Sequence, residues 1–139
     1  GRVIEVGGGS GITLIQLLKN IGQENKNLEV FNLDISRAAL NYFQYLAKEG
    51  GFFESGQEYE SYRHRMHTLE RNFYQTGLPD NHFKFVYSVG VDEHLTPEQR
   101  MDLVKERTRI LEPGGTLVIS VPNEKSPYYS LMRQKEEEI

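Results

Sequence analysis

Short β-branched runs alternate with longer stretches of helical spacing along this chain, the pattern of parallel βαβ units. Val3-Ile4-Glu5-Val6 predicts a first strand, stopped by Gly7-Gly8-Gly9. Behind Ser10, the spacing of Ile12, Leu14, Ile15, Leu17 and Leu18 predicts a helix with a wide apolar face. Leu28-Glu29-Val30-Phe31-Asn32-Leu33 predicts a second strand ending at Asp34. Ser36 then stands where a side-chain oxygen caps a helix, and that helix sets Ala39, Leu40, Phe43, Leu46 and Ala47 on one side before Gly50-Gly51 ends it.

Residues 51–67 break the rhythm and read as an enlarged connection with a helical turn. A weaker strand is expected over 69–73, followed by a Leu78-Pro79-Asp80-Asn81 turn. Phe83-Lys84-Phe85-Val86-Tyr87-Ser88 predicts a central strand. Thr96-Pro97-Glu98-Gln99 then combines a cap, a proline at the first helical position and a glutamine placed to close a capping box. The expected inner face of that helix is Met101, Val104, Thr108 and Leu111. Pro113-Gly114-Gly115 turns the chain into Thr116-Leu117-Val118-Ile119-Ser120-Val121, expected as a buried strand, and a further helix is expected from Ser126. Five strands with right-handed crossovers make a doubly wound, mainly parallel α/β sheet of order 3-2-1-4-5. Its ligand crevice falls across the carboxyl ends of strands one and four, where the winding reverses.

The 139 residues suit one domain and are too few for two. Apolar runs stay far below the roughly 20 residues of a membrane span, and the amino end carries no targeting pattern. With no cysteine, disulfides and thiolate metal sites are excluded, which permits a cytoplasmic setting. His64, His67 and His82 lack the spacing of a metal site, so none is expected. The net charge of −4 argues against nucleic acid as the main partner. Arg63, His64, Arg65, His67 and Arg71 form a local basic stretch and Glu136-Glu137-Glu138 an acidic tail, both read as solvated surface.

The chemistry concentrates in Glu5-Val6-Gly7-Gly8-Gly9-Ser10-Gly11, where a strand must bend into a helix beneath a ligand. Glycine tolerates the bend and lets the ligand approach the backbone. A dinucleotide site would place its third glycine at position 12, but that residue is Ile12. Glu5, just ahead of the loop, suits a ligand ending in an ammonium group rather than a phosphate. Asp34 lies at the distance expected of a ribose-binding carboxylate, and it would equally suit the start of the following helix.

The ordered set of motifs resembles the class I S-adenosylmethionine-dependent methyltransferases, and is most similar to their small-molecule branch of ubiquinone and menaquinone biosynthesis enzymes. Glu5, Gly7, Gly9 and Gly11 match the first motif, and Asn32-Leu33-Asp34-Ile35-Ser36 the second. Residues 77–83, then 85–91 with Glu93-His94-Leu95, resemble the third and fourth, and residues 111–117 the turn before the fifth strand. The resemblance implies S-adenosyl-L-methionine as cofactor, with Glu5, Gly7, Gly8, Gly9, Gly11, Asp34, Ile35, Asn72, Ser88 and Val89 around it. It implies methyl transfer by in-line displacement to an O, N or C atom of a small-molecule acceptor, with His94 or Glu93 near the methyl group and Tyr128 and Tyr129 as possible acceptor walls. His is the natural base for an acceptor that must lose a proton, although a His near a helix start is also often structural.

The chain departs from the family in two places. Lys84 stands where the family usually has Asp, and Asn72 stands where an Asp often faces the adenine amino group. An Asn still accepts that hydrogen bond through its oxygen, without charge assistance. Family members usually carry a preceding helical region and two further strands, so the resemblance implies a truncated core with weak or no catalysis of its own. These departures motivate a rival reading, a non-catalytic S-adenosylmethionine-binding module. The basic aromatic stretch 62–74 motivates another, RNA methylation.

Overall fold

The computed structural model describes residues 1–123; the helix expected from Ser126, Tyr128, Tyr129 and the acidic tail lie outside the described residues. Strands β1 (Arg2–Val6), β2 (Glu29–Asp34), β3 (Met66–Glu70), β4 (Phe83–Val89) and β5 (Leu111–Ser120) form one sheet. Its order is β3-β2-β1-β4-β5, as the pattern predicts, and every pairing is parallel. Helices α1 (Ile12–Ile21), then α2 (Arg37–Glu49) with α3 (Gly56–Tyr62), and α4 (Pro97–Ile110) lie in the connections from β1 to β2, β2 to β3 and β4 to β5, while residues 71–82 join β3 to β4 without a helix.

Alternation along the strands sends side chains to two cores. Val3, Val30 and Tyr87 pack with Leu14, Ile15, Leu18, Phe43 and Ala47 of α1 and α2. Ile4, Val6, Leu33, Phe83 and Val86 pack on the other face with Leu103 and Ile110 of α4. Ser36 caps α2 by accepting from the Ala39 N–H, and Thr96 and Gln99 close the expected capping box. The first helix differs: its N-cap is Gly11, in the left-handed conformation at φ 64°, rather than the preceding Ser10, and no side chain caps it.

Four expectations are corrected. The irregular 51–67 connection contains α3, capped by Ser55, and a 3₁₀ turn at Arg63–Arg65. The third strand runs over Met66–Glu70, not 69–73, because the parallel register with β2 pairs Val30 with Met66 through Asp34 with Glu70. Phe73 therefore packs from the loop, not from a strand.

The inner face of α4 is Leu103, Glu106, Arg107 and Ile110, with Met101 and Thr108 exposed. A purely apolar reading misses it because two of its four positions are charged side chains, Glu106 paired with Arg109 and bonded by Thr76, and Arg107 paired with the distant Asp92. Glu106 accepts from the Thr76 N–H and hydroxyl at 2.8 and 2.6 Å. Arg107 donates to both oxygens of Asp92 at 2.9 and 2.8 Å.

Finally, β5 is the sheet edge among the described strands, and Val118, Ile119 and Val121 are 41, 39 and 51% exposed rather than buried. Its Pro-Gly-Gly sequence is an excursion within the strand, since three residues of β4 (Phe83 to Phe85) face six of β5 (Leu111 to Thr116). A Cβ at Gly115 would lie 2.8 Å from the Lys84 carbonyl, so only glycine fits there. Lys84 itself is exposed.

Candidate functional site

The parallel register sets Glu5 of β1 between Asn32 of β2 and Tyr87 of β4. These three buried side chains form a polar row across the sheet, directly before the bend at Gly7. The Tyr87 hydroxyl donates to Glu5 Oε1 at 2.9 Å. Asn32 Nδ2 donates to the Gly9 carbonyl at 2.9 Å, while Asn32 Oδ1 is buried with no donor. Burial pushes the Glu5 carboxyl above its ordinary range, the Asp34 charge adds to that, and the Tyr87 hydrogen bond opposes it. Burial beside the Glu5 carboxyl also raises the Tyr87 phenol.

Above this row the glycine loop is laid close to the sheet. The N–H groups of Gly7 and Gly8 both reach the Leu33 carbonyl, at 2.8 and 3.2 Å, and the Gly9 N–H donates to Asp34 Oδ2 at 3.0 Å. Gly7 takes φ 76°, and a Cβ there would press to 2.8 Å against Val91. At Gly8 a Cβ would fall 2.1 Å from Asn32 Oδ1 and 3.1 Å from the Glu5 carboxyl carbon. At Gly11 it would strike Phe43 at 2.4 Å.

Beside the loop lies a cavity of ≈ 180 Å³ lined by Gly7, Asp34, Ile35, Arg71, Asn72, Phe73 and Tyr74. The structure thus gathers four of the sequence-predicted residues, Gly7, Asp34, Ile35 and Asn72, around one space. Asp34 Oδ1 accepts from the Ser36 N–H at 2.8 Å, so this carboxylate bridges the glycine loop and the start of α2. Ile35 is 73% exposed at the rim. Asn72 closes a tight turn, its Oδ1 accepting from the Tyr74 N–H at 2.8 Å. That bond takes one lone pair of the oxygen, and the other lone pair and the NH₂ remain to Asn72. Phe73 and Tyr74 pack edge to face at 4.7 Å, and sequence reasoning missed both as cavity walls.

Other predicted residues lie apart from the cavity. Ser88 is fully buried and its hydroxyl donates to the Val6 carbonyl, tying β4 to β1; Val89 is exposed at the end of β4. Glu93 and His94 sit in the 3₁₀ turn after β4, their side chains 3.4 Å apart, with His94 76% exposed and Glu93 Oε2 buried without a donor. Val91, against Gly7, joins this turn to the glycine loop. Asp92, which the pattern did not single out, anchors the turn through Arg107 and through its carbonyl to Arg100 Nε at 2.9 Å.

Of the basic stretch, Arg63, His64 and Arg71 lie exposed at the surface and only Arg65 is buried. Arg65 is 9% exposed and donates to the carbonyls of Leu28, Gly22 and Asn25, correcting its reading as solvated surface. Arg63 pairs with Glu60, His67 with Glu29, and Arg71 bonds the Thr76 carbonyl. A larger cavity of ≈ 630 Å³ between α1 and α3 is lined by charged groups such as Lys19, Glu54, Glu58 and Arg65. Lys19 there pairs with Glu58, and no predicted site residue lines it.

A doubly wound sheet with a glycine bend over β1 and an acid at the tip of β2 defines a nucleoside-binding α/β domain. The family profile described as a methyltransferase domain matches residues 4–119, and the chain belongs to that family. No curated protein matches the chain. A solved structure from Pyrococcus horikoshii is similar at a TM-score of 0.72 and 20% identity, covering 98% of this chain and 51% of that one. An S-adenosylmethionine-dependent methyltransferase from Archaeoglobus fulgidus gives 0.62 and 22%, covering 94 and 48%. The glycopeptide N-methyltransferase MtfA, solved with S-adenosylmethionine, gives 0.64 and 22%, covering 86 and 46%. The chain thus spans about half the length of these structures.

Proposed function

We propose that this chain is the S-adenosyl-L-methionine-binding core, a single domain over 1–139, of a cytoplasmic methyltransferase acting on a small-molecule acceptor at O, N or C. Its motifs resemble the ubiquinone and menaquinone biosynthesis branch. The observation that carries the reading is the glycine loop held between Asn32 and Asp34, with the 180 Å³ cavity beside it.

The residues present fit the cofactor. Asp34 has carboxylate lone pairs for ribose hydroxyls. Phe73, Tyr74 and the Asn72 amide suit an adenine. Glu5, held by Tyr87, has no cation of the described residues paired to it, which suits the ammonium of an amino acid. When bound, the sulfonium supplies an already activated methyl group. The chain's own task is then alignment of the acceptor and exclusion of water. His94, exposed beside Glu93, is the residue type suited to take a proton from an acceptor that must lose one.

Calorimetric titration with S-adenosylhomocysteine tests the assignment. Binding that Asp34→Ala weakens strongly is expected, and no binding at millimolar ligand rejects it. Within 62–74, Arg65 and Arg71 spend their guanidinium groups on backbone carbonyls of the protein itself, which supports a small molecule over RNA as acceptor.

A further inference from the structure

The buried row Tyr87–Glu5–Asn32 needs an explanation beyond packing. A phenylalanine at position 87 would fill the same space in the core shared with Phe85 and Leu14. A buried hydroxyl is tolerated only where it finds a partner, and Tyr87 spends its proton on Glu5 Oε1 at 2.9 Å. Among the described residues no other donor reaches that carboxyl, and no lysine, arginine or histidine pairs with it. The second Glu5 oxygen takes no hydrogen bond from the described residues, while Asn32 Oδ1 beside it is buried without a donor under Gly8.

We propose that Tyr87 is a positioning residue for the amino-acid end of the sulfonium ligand: its hydroxyl fixes the Glu5 carboxyl so that the remaining oxygen meets the ligand's ammonium group. The inference rests on the cofactor reading above. Tyr87 reaches this place because β1 and β4 are in register at Glu5 and Tyr87, so the strand that carries the acceptor-side turn also sets the carboxylate of the cofactor side.

The arrangement also makes binding sensitive to pH. Glu5 faces Tyr87 from β4, Asp34 from the end of β2, and the neutral Asn32; the α1 and α2 residues packed on this face, Leu14, Ile15, Leu18 and Phe43, are apolar. Burial and Asp34 both raise the Glu5 carboxyl, and only the Tyr87 hydrogen bond lowers it. An ammonium group is held by the ionised form, so affinity falls as pH drops through the Glu5 value. Removing the hydroxyl moves that fall to higher pH.

The test compares S-adenosylhomocysteine with methylthioadenosine, which keeps the adenosyl group and lacks the amino-acid end, on the 139-residue chain. Tyr87→Phe is expected to weaken S-adenosylhomocysteine about tenfold or more, the worth of a hydrogen bond to a charged group, and to leave methylthioadenosine unchanged. The acid limb of S-adenosylhomocysteine affinity should shift upward in pH, and in a Glu5→Gln background Tyr87→Phe should add nothing further. Unchanged S-adenosylhomocysteine affinity, or equal weakening of both ligands, overturns the role of Tyr87 while leaving the cofactor assignment standing. Failure of the unaltered chain to bind either ligand overturns the cofactor assignment and this inference with it.

Discussion

Breaking the Asp92–Arg107 pair should be among the most damaging single changes to this protein. The Arg107 side chain is fully buried and that of Asp92 is 9% exposed, so neither charge has water to fall back on. Their two parallel hydrogen bonds, at 2.9 and 2.8 Å, match the fork of a guanidinium to the plane of a carboxylate. Arg107 Nε already lacks a partner, leaving no spare compensation when Asp92 is removed. Asp92→Ala should therefore cost about 3–5 kcal/mol, the loss typical of stranding one member of a buried pair. Against the roughly 5–15 kcal/mol of a natural domain, that is about a fifth of the total or more. The partner experiment is Asp92→Leu combined with Arg107→Leu. Taking both charges out together removes the desolvation cost as well as the attraction, so the double variant should be far less destabilised than either single. Urea unfolding followed by circular dichroism at fixed pH and salt gives the comparison. A loss below about 1 kcal/mol for Asp92→Ala, or a double variant as unstable as the single, would refute the reasoning.

Three further outcomes follow from the site and its supports. Gly8→Ala should abolish S-adenosylhomocysteine binding in calorimetry without unfolding the chain, because its Cβ would stand 2.1 Å from Asn32 Oδ1; retained affinity would show that the loop can lift off the sheet. Asp34→Asn keeps the shape but loses the charge that serves the Gly9 N–H and the ligand, so affinity should fall about tenfold to a hundredfold, a charged hydrogen bond's worth, with little change in unfolding midpoint. Glu106 is held down to about 2 by the Arg109 guanidinium and by Thr76. The unfolded chain therefore binds this proton first, and the stability Glu106 contributes is complete above the ordinary glutamate range and lost as pH falls toward 2. Urea unfolding between pH 5 and 2 should show a shallower acid decline for Glu106→Gln than for the unaltered chain; parallel declines would show that another group governs it.

Much of this protein was legible without its structure. Strand order, the glycine bend, the Ser36 and Thr96 caps and the acid ending β2 all depend on residues within a turn of one another, or on the single rule that parallel crossovers are right-handed. The candidate site was legible only where it is backbone and loop: Gly7, Asp34, Ile35 and Asn72 do share one cavity.

What the tertiary structure alone decided is the fate of buried charge and of register. Asp92 meets Arg107 15 residues on, Thr76 meets Glu106 30 residues on, and Glu5 meets Tyr87 across 82 residues. No local period announces such partners, and a charged residue reads as surface until one is found, so the inner face of α4 and the commitment of Arg65 were misread. The third strand slid by three residues for the same reason, since its position is set by hydrogen bonds to β2 and not by its own composition. Hydrophobic spacing is local information; the pairing of polar groups in the interior is settled only when distant segments meet.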